Sequence, residues 1–277
     1  MTLAISLAQW SLHRAICLGE LDPLDFPRAA RREFDIDAVE IVSQLLPGPR
    51  REVVRELGMR AQGEGVRIIL VMVDDEGDLS HPRLRVRKRA VERHRTWLDA
   101  AAAWGARAVR VNTGGERWLE RPVSAQPSAA AEHRDAVARC AESCALLADH
   151  GRPLGLSVLL ENHGGLSANA WILSGVVKAS ARDNVGLLPD FGNFHAGADR
   201  TRAVEAMMPH ARAVSAKTYD FDDAGNECTF DFARLMQIVV DSGYSGHIGI
   251  EYEGRRLSEP EGIRRSKALL ERWVGAR

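Results

Sequence analysis

Acidic, amide, histidine and lysine side chains follow several apolar runs of this sequence. Four such segments are LSVLLENHGG (Leu156–Gly165), VGLLPDFGNF (Val185–Phe194), ARAVSAKTYDFD (Ala211–Asp222) and GHIGIEYEG (Gly246–Gly254). A carboxylate at the tip of an otherwise buried strand is costly unless it is paired or binds a metal ion. Because Glu161, Asp190 and Glu251 each stand at such a tip, we expect them to converge on one site.

Polar side chains also recur at every second position in these segments. The pairs two residues apart are Glu161 with His163, Ser215 with Lys217, and Glu251 with Glu253. Side chains alternate along a strand, so both members of each pair face the same way. Carboxylate oxygens suit Mg²⁺, Mn²⁺ and similar hard divalent ions. Two carboxylates beside a metal-bound substrate could take and return a proton next to a carbonyl, which is the chemistry of sugar isomerases and epimerases.

Eight short runs rich in Val, Ile and Leu predict parallel strands that are covered on both faces. They are Leu3–Gln9, Ala38–Val42, Arg67–Val73, Ala108–Asn112, Leu156–Glu161, Val185–Asp190, Ala213–Lys217 and His247–Tyr252. The segments between them have helical patterns. We expect Gly105 and Gly151 to end two of these helices in the left-handed conformation.

Eight strand–helix units in 277 residues give about 35 residues per unit, the usual size of a (β/α)8 TIM barrel. No linker or break in composition divides the chain, so the α/β fold is predicted to be one domain over residues 1–277. Polar residues at the carboxyl ends of barrel strands face the active-site mouth. This adds further candidates on the first, second and fourth strands, namely Trp10, His13, Glu40, Arg110 and Asn112.

The composition is that of an ordinary globular protein, with 45% hydrophobic and 27% charged residues. The formal net charge of -1 gives no global field toward nucleic acid or an anionic membrane. The chain has no apolar run long enough for a membrane span and no signal-peptide pattern, so we expect a cytoplasmic protein. Its four cysteines lack zinc-site spacing and are expected to be free thiols.

The motifs ENH, PDFGNF, VSAK and GIEYEG, in this order, resemble those of the sugar phosphate isomerase/epimerase family of xylose-isomerase-like barrels. The likeness extends from AQWSLHR at the first strand to the last helix. In that family, a Glu, an Asp, a His and a Glu on strands five to eight hold one divalent metal ion such as Mn²⁺ or Mg²⁺. The two glutamates are the acid/base pair. The resemblance places these roles at Glu161, Asp190, Ser215 and Glu251.

The resemblance also implies a small carbohydrate-like substrate. Residues expected to bind it are His163, Lys217, Asn193, His13, Trp10, Glu40 and Asn112. Structural roles are the alternative for several of them: Trp10 could pack, Glu40 could brace a neighbour, and Asn112 could fill a barrel layer. Asp190 could likewise cap the following helix, and either catalytic glutamate could form a structural ion pair.

Two positions depart from the family pattern. Many relatives read VHLKD on the seventh strand, where this chain reads VSAKT and has Ser215 in place of the histidine. Many also carry His three residues after the sixth-strand Asp, where this chain has Asn193. The site could bind metal more weakly, recruit His163 or His195 as a ligand, or work without metal. In the last case the Lys217 ammonium would neutralise the carboxylates.

The leading hypothesis is an isomerase or epimerase of a sugar, sugar acid or related polyol. One alternative is a dehydratase acting on a polyol-ketone such as an inosose or dehydroshikimate, and another is a non-catalytic sugar-binding relative. A metal-dependent DNA-repair endonuclease shares the barrel, but the absent histidines and near-neutral charge disfavour it. Relatives often form dimers or tetramers, so a homo-oligomer is a further expectation.

Overall fold

Eight parallel strands form one sheet in the computed structural model, which describes residues 2–115, 123–124, 126–194 and 197–274. The strands are β1 (Leu3–Ala8), β2 (Ala38–Val42), β3 (Arg67–Val73), β4 (Ala108–Val111), β5 (Ser157–Glu161), β6 (Val185–Leu188), β7 (Val214–Thr218) and β8 (Gly246–Tyr252). Their order in the sheet is β6-β5-β4-β3-β2-β1-β8-β7. Bridges from Leu187 to Ala211 and from Asp190 to Ser215 join β6 to β7 and complete the ring. The predicted TIM barrel is confirmed.

Helices follow the strands and cover the outer face of the sheet. They are α1 (His13–Cys17), α2 (Phe26–Phe34), α3 (Arg51–Gly63), α4 (Leu84–Ala103), α5 (Ala129–Glu132), α6 (Arg134–Gly151), α7 (Ala170–Ser180), α8 (Arg200–Met207), α9 (Phe232–Asp241) and α10 (Glu259–Val274). Asn169, Asp199 and Asp231 cap α7, α8 and α9, because each side chain accepts a hydrogen bond from a backbone N–H of the first turn.

The two glycines predicted to end helices behave differently. Gly105 follows α4 with a φ of 74°, so it has the expected left-handed conformation. The prediction for Gly151 was wrong: it is the last residue of α6, with a φ of -73°, and the left-handed residue is Gly155. A Cβ at Gly151 would lie 3.0 Å from Leu98 Cδ2, so glycine serves close packing there.

The apolar core has an outer and an inner part. The outer part lies between the sheet and the helices and includes Trp97, Phe26 and Leu57, which are fully buried. The inner part fills the barrel with side chains from seven positions, namely Ala8, Val42, Leu70, Met72, Ala108, Leu159 and Leu188. A packed interior of this kind supports polar side chains at the carboxyl ends of the strands.

No helix in the part of the chain that the structure describes is both long and apolar enough to span a membrane. Cys17, Cys140, Cys144 and Cys228 are free thiols, as expected.

Candidate active site

A cavity of about 130 Å³ opens at the carboxyl ends of the strands. The described residues that line it are Trp10, Val42, Gln44, Met72, Asp74, Arg110, Glu161, His163, Lys217, Glu251 and Glu253. Two larger openings adjoin it. One of about 310 Å³ shares Gln44, Asp74 and His163 with the cavity, and one of about 530 Å³ shares Glu253. The structure therefore brings both predicted acid/base glutamates to one cavity.

Glu161 ends β5 and is held by an arginine from the neighbouring strand. Arg110 Nε lies 2.8 Å from Glu161 Oε2, and Arg110 Nη1 donates to Asp74 Oδ1 at 2.5 Å. Burial raises the pKa of Glu161 to about 7, while the positive charge of Arg110 opposes the rise. A carboxyl group with a pKa near neutrality is suited to general acid/base catalysis at physiological pH.

Lys217 on β7 is buried among acidic and amide groups. Its Nζ lies 2.8 Å from Glu251 Oε1 and 3.1 Å from Glu253 Oε2, and it donates to Asn193 Oδ1 at 2.9 Å. Burial disfavours the charge, but the carboxylates, Glu251 foremost, outweigh it and hold the pKa of Lys217 well above its ordinary value. The side chain is therefore an ammonium that faces the cavity.

The carboxylate of Asp190 is occupied by donors from this chain. Its Oδ1 accepts hydrogen bonds from the N–H groups of Gly192 (2.8 Å) and Asn193 (2.7 Å), and its Oδ2 accepts one from Ser215 Oγ (2.5 Å). Burial raises the pKa of Asp190 to about 7, and Lys217 opposes the rise. Asp190 thus holds the turn after β6, whereas α8 is capped by Asp199.

Asn162 fixes this turn from β5. Its side-chain Oδ1 accepts from Asp190 N at 2.7 Å, and its Nδ2 donates to Asp190 O at 2.9 Å and to Asn193 O at 3.3 Å. Asn193 Nδ2 in turn donates to Glu161 Oε1 at 3.2 Å. Asn193 therefore links Glu161 to Lys217 and positions both, although it is not among the described residues that line the cavity.

The residues present do not fit the divalent metal ion that the family resemblance implies. Both Asp190 oxygens already accept hydrogen bonds, Arg110 faces Glu161, and Lys217 faces Glu251. Among the described residues, no group of three or more His, Cys, Asp or Glu side chains could hold a metal ion. The ligand set Glu161, Asp190, Ser215 and Glu251 stays a prediction that this arrangement does not support, so no chemical step is assigned to a metal.

The aromatic candidate Trp10 lies on the wall of the cavity. Its Nε1 donates to Glu253 Oε1 at 2.5 Å, and its ring stacks on His13 with centroids 4.6 Å apart. His13 opens α1 and lines the adjoining 530 Å³ opening. Its Nδ1 lies 2.6 Å from Trp10 O and 3.5 Å from Glu259 Oε1.

Three other predicted substrate-binding residues take different positions. His163 lines the cavity, and burial, followed by the charge of Arg110, lowers its pKa, which favours the neutral imidazole. Asn112 donates to Asp74 Oδ1 at 2.6 Å and lines the 310 Å³ opening. Glu40 is buried inside the barrel, where it accepts from Ser6 Oγ at 2.6 Å, and it is not among the described residues that line the cavity.

Asp74 and Gln44 line the cavity but are not among the residues predicted from the sequence, and Glu253 is predicted only to face the same way as Glu251. Asp74 directly follows the β3 run RIILVMV, so the same rule of acidic strand ends would have found it. Gln44 follows β2 in a short turn and carries no comparable signal. His195, a predicted substitute metal ligand, lies outside the described residues.

Comparison with known proteins places this chain in a family. Residues 28–273 match the family described as xylose isomerase-like TIM barrel. A relative named C-glycoside deglycosidase alpha subunit, from Arthrobacter globiformis, is 38% identical over 53 residues, which are 19% of this chain and 15% of that protein.

Solved structures share the fold over almost the whole chain. An L-ribulose 3-epimerase is 17% identical with a TM-score of 0.75, over 98% of this chain and 94% of that chain. The IOLI protein, whose structure holds a bound zinc atom, is 14% identical with a TM-score of 0.75, over 100% of this chain and 99% of that one. At these identities the likeness shows the fold alone.

Proposed function

Because this chain belongs to the xylose isomerase-like TIM barrel family, we propose that it is an isomerase or epimerase of a sugar, sugar acid or related polyol. Glu161 and Glu251 are the acid/base pair, and Lys217 and His163 bind substrate oxygens. The name of the L-ribulose 3-epimerase, a protein with the same fold, supports a ketose or related sugar as substrate.

One observation carries the proposal. Two buried carboxylates, Glu161 and Glu251, line one cavity from strands that lie three places apart in the ring, and a buried ammonium contacts one of them. Proton transfer next to a carbonyl needs a base, an acid and a positive group beside the oxygen that gains charge. The cavity offers all of these at the mouth of a TIM barrel.

The reaction follows from these positions. Glu161, in its ionised form, takes a proton from the carbon next to the substrate carbonyl, and the electron pair passes into an enediolate whose oxygen faces Lys217. Isomerisation follows when Glu161 returns the proton to the former carbonyl carbon, while the hydroxyl proton on the deprotonated carbon passes to the former carbonyl oxygen. Epimerisation follows when Glu251, protonated on the oxygen that does not contact Lys217, donates to the opposite face of the original carbon. Glu161 then keeps the abstracted proton, and exchange with solvent resets both carboxyl groups. Neither outcome requires an oxidant or a second substrate.

Substrate size follows from the volumes at the mouth. The 130 Å³ cavity takes the reacting end of the sugar, and the openings of about 310 Å³ and 530 Å³ take the remainder. The partner in this proposal is a small carbohydrate. The formal net charge of -1 gives no reason to add a nucleic acid.

The test is the exchange of solvent deuterium into candidate sugars, with the deuterium content of each sugar measured by NMR. The panel comprises ketoses, aldoses, sugar acids, an inosose and, because of the named relative, a C-glycoside. We expect Glu161→Gln and Glu251→Gln each to slow exchange by about 10²–10⁴-fold. The exposed Glu52→Gln on α3 is the matched control and should leave it unchanged. If both site variants kept full turnover of a confirmed substrate, the assignment would be wrong.

The same samples separate the alternatives. A product lighter by one water would identify a dehydratase, because isomerisation conserves mass. Saturable sugar binding without deuterium incorporation would identify a non-catalytic sugar-binding protein.

A further inference from the structure

Ser215 stands where many relatives carry a histidine, and this departure disagrees with a metal-centred mechanism, whereas Lys217 stands where those relatives also read lysine. We propose that the Lys217 ammonium takes the place of the divalent ion, so that this chain polarises its substrate without a bound metal. The inference rests on the proposed function and identifies the positive group that acts at the site. Three features of the barrel interior support it.

The first feature is the hydroxyl at the position of the seventh-strand histidine. Ser215 Oγ donates to Asp190 Oδ2 at 2.5 Å, and the single-residue bridge between Asp190 and Ser215 fixes this pair in the barrel wall. A histidine would present a lone pair to a metal, whereas this hydroxyl uses its proton on a carboxylate. The carboxylate of Asp190 is therefore used to hold the barrel wall together, and Oδ2 is not free to bind a metal ion.

The second feature is the position of the ammonium. Lys217 Nζ contacts Glu251 Oε1, Glu253 Oε2 and Asn193 Oδ1, and it borders the cavity. Gly192 makes room for its stem, because a Cβ there would lie 2.5 Å from Lys217 Cδ. The side chain is thus held beside the carboxylate that the family would use for metal.

The three contacts also indicate how the substrate is accepted. An ammonium has three N–H donors, so a substrate oxygen must replace one of its partners. Glu253 is the partner with the longest contact, 3.1 Å, and its side chain is 27% exposed, against 7% for Glu251. We expect the carbonyl oxygen to displace Glu253 and to leave the Lys217–Glu251 pair intact.

The third feature is the second buried cation. Arg110 lies 2.8 Å from Glu161, so a cation entering between the carboxylates would approach both a guanidinium and an ammonium. A metal ion bound to either carboxylate would lie close to one of these cations, and like charges at short separations repel strongly in a buried site. Each carboxylate at a predicted ligand position already has a positive or hydrogen-bonding partner from this chain.

The chemical step balances without a metal. As Glu161 removes the proton from carbon, the electron pair of the broken C–H bond moves through the new C–C double bond to the carbonyl oxygen. Lys217 donates a hydrogen bond to this oxygen and offsets its charge. Reprotonation at carbon then draws the electron pair into the new C–H bond. Glu161 is restored directly when it gives this proton, and by proton exchange with solvent when Glu251 gives it.

The test measures Mn²⁺ binding to the full chain in the absence of sugar. Calorimetry and electron paramagnetic resonance detect the bound ion. We expect wild-type protein to bind no stoichiometric Mn²⁺ after dialysis. The double variant Ser215→His, Lys217→Met should gain a bound ion, because it restores a ligand and removes the ammonium. The variant Lys178→Met, an exposed lysine on α7, is the matched control and should gain none.

Stoichiometric Mn²⁺ in wild-type protein that is lost on Asp190→Asn would overturn the inference, and so would a folded double variant that gains none. If the double variant does not fold, the wild-type titration still decides. Turnover that survives EDTA supports the inference where a substrate is known. Absence of turnover on every sugar would count against the proposed function alone, because the metal titration uses no substrate.

Discussion

Arg110 Nε lies 2.8 Å from Glu161 Oε2 in the interior of the barrel, with both side chains almost fully buried. The relationship follows from the register of β4 and β5, which places Arg110 opposite Leu159, two residues before Glu161 on the same face. The long arginine side chain spans that offset and also contacts Asp74. Arg110 therefore sets how readily the proposed base ionises.

Replacing Arg110 with Gln should move the pH dependence of turnover. The Arg110 charge lowers the pKa of Glu161 against burial, so its loss raises that pKa above about 7. A smaller fraction of Glu161 is then ionised at neutral pH, and the acid limb of the kcat/KM profile shifts to higher pH by about one unit or more. Arg110→Lys should shift it less, and the exposed Arg107→Gln not at all. If the acid limb of Arg110→Gln stayed at the wild-type pH, Arg110 would not control the ionisation of the catalytic base.

Glu40 should make the wild-type protein less stable as pH rises. Burial raises its pKa from the ordinary 4.5 to about 8, so the folded state retains a proton that the unfolded state loses. The stabilisation is therefore complete below pH 4.5 and is lost as pH rises through about 8. Relative to wild type, Glu40→Gln should gain up to about 5 kcal/mol in free energy of unfolding across this window.

The measurement is urea unfolding of both proteins at several pH values. The exposed Glu33→Gln on α2 controls for the loss of a surface carboxylate and should show no such trend. Parallel stability curves for wild type and Glu40→Gln would show that Glu40 is ionised when folded.

The barrel and much of the site were predictable from the sequence for a physical reason. Apolar runs that end in a polar residue mark strands whose tips face one mouth, so Glu161, Glu251, Lys217, His163 and Trp10 could be assigned to one cavity. Each assignment needs only the strand end and the alternation of side chains, both of which are local properties of the chain.

Pairings across the barrel could not be predicted in this way. Glu40 was expected at the mouth, but it pairs with Ser6 inside the barrel, next to a register shift between Val39 and Glu40. The family resemblance places a metal ligand at Ser215, whereas its hydroxyl donates to Asp190. Such contacts depend on the register between strands far apart in sequence. The single domain, the cytoplasmic location and the oligomeric state stay predictions.

Gly192→Ala should reduce turnover by displacing Lys217. A Cβ at this position would lie 2.5 Å from Lys217 Cδ and 2.7 Å from Tyr219 Oη, so the lysine stem must move. Because Lys217 then leaves Asn193 and Glu251, we expect kcat to fall by about tenfold to a hundredfold. The substitution Gly63→Ala, at the end of α3 with no atom within 4 Å, is the control. Wild-type kcat in Gly192→Ala would show that the Lys217 position is not critical.

Trp10→Phe should weaken substrate binding more than it slows chemistry. Burial would raise the pKa of Glu253, but the charge of Lys217, followed by the hydrogen bond that the Trp10 indole N–H donates to Glu253 Oε1, holds it below its ordinary value. Phenylalanine keeps an aromatic wall but frees Glu253, which then competes better with the substrate oxygen for Lys217. We expect KM to rise by about tenfold, or about 1.4 kcal/mol, with kcat nearly unchanged. Trp171→Phe on the outer helix α7 should alter neither constant. Steady-state kinetics on a confirmed substrate provides the measurement, and a fall in kcat at constant KM would instead assign Trp10 to the chemical step.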